Sequence, residues 1–175
     1  MPVECEKEGI VMNKSADLKV EARGEREIVM TRTFNAPRKL VFEAFTRPDL
    51  LKRWLYGPDD WSLPVCEVDL RVGGRYRYLW RCGKDGQEMG AGGIYREIVP
   101  PERIVATEKF DDPWYAGEAT ISFVFTEQGG KTVLTQTLSY ESREARDTVL
   151  KSGMEVGLGL SFDRLEAVLA QSSSR

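Results

Sequence analysis

The chain has 175 residues, 41% of them hydrophobic and 30% charged, the balance of one globular domain with a sizeable core. Its 25 Lys and Arg against 28 Asp and Glu leave a formal charge of −3, which argues against nucleic acid or an anionic membrane as the main partner. There is no histidine. That excludes Ser-His-Asp and Cys-His catalysis, histidine-based zinc sites and the usual pH switch.

The cysteines Cys5, Cys66 and Cys82 include no Cys-x-x-Cys pair. An odd count, with a polar start over residues 1–9 and no apolar run of span length, fits a reducing, cytoplasmic setting without membrane insertion. Residues 1–24 read as a flexible extension carrying one strand around 18–22, ahead of a single domain over 25–172.

Glu27–Phe34 is rich in β-formers and predicts a strand. Asn35-Ala36-Pro37 then starts a helix, Asn35 as its cap and Pro37 in its first turn, with Leu40, Val41, Ala44 and Phe45 as the apolar face. Pro48 starts a second short helix bearing Leu50, Leu51 and Trp54, closed by a loop over 57–60.

Two alternating stretches follow. Over 65–72, Cys66, Val68, Leu70 and Val72 share one face, and Gly73-Gly74 turns the chain. Over 75–82, Tyr76, Tyr78, Trp80 and Cys82 share one face while arginines occupy most of the other. Such alternation marks strands with one face inward and one in solvent. Cys66 and Cys82 read as inward free thiols acting as small hydrophobes. Further strands are predicted over 89–99, 103–110, 118–127 and 132–140, separated by Lys84-Asp85-Gly86, Pro100-Pro101, a loop over 111–114 and Gln128-Gly129-Gly130-Lys131. Ile121, Phe123 and Phe125 point inward on one, and Leu134, Gln136 and Leu138 on another.

The last thirty residues form one long helical pattern, with Leu150, Met154, Leu158, Phe162, Leu165 and Leu169 as its stripe. Gly153 and Gly157 fall inside it, with Gly159 and Ser161. An interior glycine costs about 1 kcal/mol against alanine, so close approach or a groove must offset it. A curled antiparallel sheet lidded by such a helix predicts a cavity, and a cavity suggests binding.

The chain resembles the START-like, birch-pollen-allergen-like (SRPBCC) superfamily, and within it the bacterial branch related to the activator of heat-shock protein 90 ATPase. The resemblance spans about residues 27–170. It rests on Arg32-Thr33-Phe34-Asn35-Ala36-Pro37, Thr46-Arg47-Pro48, Arg53-Trp54, the run from Cys66 to Gly74, the run from Gly93 to Arg103, and Phe162-Asp163-Arg164-Leu165. It implies an α+β helix-grip fold: about seven antiparallel strands wrapped around a long C-terminal helix, with two short helices after strand 1. It also implies a hydrophobic pocket between helix and sheet. Superfamily members bind lipids, sterols, polyketides or hormones, and some are cyclases. The eukaryotic relative behind the co-chaperone name has a further N-terminal domain, for which the 175 residues read as leaving no room.

The cavity candidates are Trp54, Tyr76, Tyr78, Trp80, Phe123, Phe125, Gln136, Met154, Leu158 and Phe162. Any single ring of the Tyr76, Tyr78, Trp80 stripe reads as packing; together, three large rings with polar handles read as a cavity wall. Trp54, Trp61 and Trp114 read equally as a pocket mouth or as loop packing. Gln136, inward among leucines, needs a partner: a ligand, or preferably an internal hydrogen bond. Arg32, if on the face of Ile28 and Phe34, needs a carboxylate, for which Glu108 is available. Asp59-Asp60 and Asp111-Asp112 read as solvated turns, and Gly90, Gly92 and Gly93 have no following helix, which rejects a dinucleotide loop. No catalytic set, metal or cofactor is implied. The expected activity is binding of a small hydrophobic or aromatic molecule, with a cavity of roughly 300–1,000 Å³. The rivals are a stress-related, co-chaperone-like module partnering a chaperone and a polyketide cyclase-like enzyme; a homodimer through the outer sheet face or the long helix is also open.

Overall fold

The structure, a computed structural model, describes residues 17–173. Residues 1–16 of the extension read over 1–24, with Cys5, lie outside them. Eight strands form one antiparallel sheet: β1 (Lys19–Arg23), β2 (Glu27–Phe34), β3 (Trp61–Val68), β4 (Arg75–Cys82), β5 (Glu88–Val99), β6 (Arg103–Phe110), β7 (Ala119–Gln128) and β8 (Lys131–Ser139). Their spatial order is β1-β2-β8-β7-β6-β5-β4-β3. The four helices are α1 (Arg38–Thr46), α2 (Pro48–Leu51), α3 (Arg143–Lys151) and α4 (Met154–Ser173). This is the helix-grip fold, with one strand beyond the expected seven because residues 19–23 pair along β2 as an edge.

The core is built by alternation. On β2, Ile28, Met30, Arg32 and Phe34 are buried; on β8, Thr132, Leu134, Gln136 and Leu138 are buried and pair across to β2. Phe34 meets Phe162 of α4 edge-on at 5.5 Å, and Phe42 of α1 meets Phe125 of β7 at 5.7 Å. Edge-to-face contacts at such distances are the arrangement aromatic quadrupoles favour. One buried cluster lies beneath α1, α2 and the C-terminal half of α4. A second joins Ile28, Ile121, Leu138 and Tyr140 to Ala145 and Val149 of α3.

Several local expectations are corrected. The cap of α1 is Pro37, with no side-chain hydrogen bond, and not Asn35, whose backbone N–H donates to the Glu166 carboxylate at 3.0 Å. The third strand runs over 61–68, so Leu70 and Val72 are exposed and do not continue the inward face of Cys66. The reason is a tight turn over 69–74: Arg71 and Gly74 N–H groups donate to Asp69 and Arg71 carbonyls, and Gly73 sits at φ +83°. Cys66 is a buried free thiol as expected, while Cys82 is disulfide-bonded.

The long C-terminal helix is two. Helix α3 begins at Ser142, whose Oγ accepts the Ala145 N–H at 3.0 Å, and ends at Ser152. Gly153 follows at φ +77°, the left-handed conformation that stops a helix and that glycine adopts without steric cost. Gly153 is therefore a break between helices, not an interior position. Arg32 does share the buried face of β2, but its partner is Asp163 of α4 at 2.6 Å, not Glu108. That pair ties the sheet to the helix.

Candidate functional site

A cavity of about 240 Å³ lies between α4 and the concave face of the sheet, closed at one side by residues 54–58. It is smaller than the predicted 300–1,000 Å³, because Phe45 and Phe162 fill part of the space beneath α4. Nine of the ten candidate residues line it: Trp54, Tyr76, Tyr78, Trp80, Phe123, Gln136, Met154, Leu158 and Phe162. Phe125 does not; it is buried in the packed core against Phe42 and Phe45. Phe125 and Phe123 share a strand face, but Phe125 is the one beneath α1, where a helix already covers it.

The β4 stripe forms one wall. Tyr76 and Tyr78 rings stand 5.1 Å apart, and Tyr78 and Trp80 5.7 Å apart. Their polar ends are used unequally. The Tyr76 hydroxyl donates to the Thr107 carbonyl at 2.6 Å, and Trp80 Nε1 donates to the Leu55 carbonyl at 2.8 Å. Burial pushes the Tyr76 and Tyr78 phenols far above the ordinary range, so both are neutral at any physiological pH.

The mouth is a loop clasped to α4. Ser161 Oγ accepts the Gly57 N–H at 2.8 Å. Arg164 donates to the Gly57 carbonyl at 3.0 Å and to Asp59 at 2.7 Å, and its guanidinium lies 3.7 Å from the Tyr56 ring centre. Gly57, at φ +63°, packs beside Gly157, where a Cβ on Gly57 would be in ordinary van der Waals contact with the Gly157 Cα at 3.8 Å. A Cβ on Gly157 itself would meet nothing within 4 Å. The helical glycine thus answers the question its sequence position raises: it keeps the cavity side of α4 open beside the loop.

Trp61 and Trp114 both line the cavity, with Trp54; Trp54 and Trp61 are buried and Trp114 is half-buried. Gln136 finds no internal hydrogen bond: among the described residues its buried Oε1 has no partner, and neither do the indole N–H groups of Trp61 and Trp114. Tyr95 and Glu108 also line the cavity. Glu108 had a readable signal, since Ile104, Ala106, Glu108 and Phe110 alternate along β6. Its carboxyl forms no hydrogen bond or ion pair among the described residues, and burial raises it to about 7. No group of three or more metal-ligating side chains occurs among the described residues, and no helix there is long and apolar enough to cross a membrane.

A family model and several solved structures are similar to the chain. The family model described as Activator of Hsp90 ATPase homolog 1-like protein matches residues 35–170. A crystal structure of a protein from Rhodobacter sphaeroides superimposes with a TM-score of 0.83 at 26% identity, covering 89% of this chain and 99% of that one. One from Mycobacterium smegmatis gives 0.77 at 26% identity, covering 88% and 98%. One from Chromobacterium violaceum gives 0.73 at 29% identity, covering 82% and 96%. No curated protein matches the chain.

Proposed function

The chain belongs to the Activator of Hsp90 ATPase homolog 1-like family, and on that premise we propose that it binds one small, largely apolar or aromatic molecule between α4 and the sheet. The observation that carries this reading is the open space beside Gly157 in a cavity walled by Tyr76, Tyr78 and Trp80. A packed core would have filled it, since empty apolar space forfeits dispersion contacts. The volume of about 240 Å³ suits a ring system or a short chain better than a long lipid.

A neutral fluorescent probe, N-phenyl-1-naphthylamine, tests the reading. The wild type should bind it saturably at one site. Gly157→Trp should weaken binding at least about tenfold, ~1.4 kcal/mol, with the fold retained. Unaltered affinity in the variant would place the bound probe elsewhere.

Two other roles each have one supporting observation. A cyclase-like catalyst needs an inward acid, and Glu108 is one; turnover lost in Glu108→Gln would support it. A co-chaperone-like module needs exposed apolar surface, and Leu70 and Val72 supply some in one turn. Loss of chaperone capture in a Leu70→Ser, Val72→Ser variant would support that role.

A further inference from the structure

Among the described residues Glu108 is the one carboxylic acid on the cavity wall, and no Lys or Arg lines the cavity with it. Its neighbours on the sheet are small. Across β7 its partner is Ala119, and the unbroken register from Ala91↔Phe110 to Tyr95↔Ala106 sets Gly93 opposite it on β5. Gly93 is glycine because the Thr107 carbonyl and the Tyr76 ring fill its side-chain position, which brings Tyr76 beside Glu108 on the cavity wall. An ionised carboxylate there, without a counter-charge, is costly.

The groups around it are rings. Tyr76 stands 5.1 Å from Tyr78 and 5.5 Å from Tyr95, centre to centre. Ring faces attract cations and repel anions. Given the binding role proposed above, we propose that the preferred occupant carries a protonated amine on its small apolar body, the ammonium seated between the Glu108 carboxylate and the Tyr76 and Tyr78 rings. A fatty-acid-like anion would meet a like charge and no base.

Few other groups can titrate nearby. The phenols of Tyr76, Tyr78, Tyr95, Tyr115 and Tyr140 are all pushed upward and stay neutral. Glu118, which biases Tyr76, is exposed. The facing residues of β7 (Ala119, Ile121, Phe123) and of α4 (Met154, Gly157, Leu158) carry no charge. Glu108 therefore dominates the pH response. An amine stabilises the ionised acid, so its binding displaces a proton wherever Glu108 is protonated, and affinity rises as pH climbs through about 7. A neutral acceptor would need the protonated acid and show the opposite slope.

The test uses three probes of one shape, 4-phenylbutylamine, 4-phenylbutan-1-ol and 4-phenylbutyrate, titrated calorimetrically between pH 6 and pH 8. The amine should bind at least about tenfold tighter than the carboxylate, with affinity rising with pH, as charge-assisted pairing requires. Glu108→Gln, which removes a half-buried acid with no ion-pair partner among the described residues and should fold at least as stably, should abolish both the preference and the slope. Equal binding of all three, tighter binding of the carboxylate, or a preference unmoved in Glu108→Gln overturns the amine assignment and leaves the cavity intact as a binding site. Binding of none of the three, together with failure of N-phenyl-1-naphthylamine to bind, overturns both readings.

Discussion

Glu108 has a consequence that needs no ligand. Its carboxyl lies at about 7 in the fold against an ordinary 4.5. Between those values the folded chain binds more protons than the unfolded one, so stability falls as pH rises through that window and levels off above it. The penalty is on the order of 2 kcal/mol once cavity water is allowed for. Denaturant midpoints of Glu108→Gln should therefore exceed wild type at pH 8 and match it near pH 4.5; equal midpoints at both would contradict the raised carboxyl. At the other extreme is Gly153, whose φ of +77° is the reason it is glycine. Gly153→Ala should cost about 1 kcal/mol in chemical denaturation. Both residues were within reach of the sequence. Glu108 lies on the inward parity of β6, where the sequence offers it as a partner for Arg32. Helical periodicity runs unbroken across Gly153 and predicts an interior position, because periodicity does not report a single left-handed residue.

At the scale of elements, α4 and the loop before β3 act as one unit. Arg164 and Ser161 hold residues 57–59 by three hydrogen bonds, at 3.0, 2.7 and 2.8 Å. Arg164→Ala should loosen the mouth, raising the probe's dissociation rate more than it lowers stability, as stopped-flow and melting measurements would show together. The Arg32–Asp163 pair fixes the same helix from the sheet side, with Arg32 buried and Asp163 half exposed. Asp163→Ala should cost about 1–3 kcal/mol, less than a fully buried pair because water already reaches the acid. Strand alternation made β4, β6, β7 and β8 legible to within a residue or so. The end of β3 was not, because Leu70 and Val72 keep the alternating pattern through a turn built from Asp69, Arg71 and two glycines. Pattern alone cannot distinguish a strand from a turn that happens to continue its parity.

Across the whole molecule, the sheet and α4 enclose apolar space that the two core clusters leave between them. The order of elements and the lack of a second long helix before β8 were enough to anticipate that enclosure. Its volume was not, because it depends on how Phe45, Phe123 and Phe162 pack against one another, at 5.4 and 6.2 Å between ring centres. The account stands on this cavity being occupied by a small molecule. Native mass spectrometry of the wild-type chain and Gly157→Trp, both purified from the source organism, tests it directly. The account predicts a one-to-one small-molecule adduct on the wild type that is absent from the variant. Two bare masses, or the same adduct on both, would contradict it.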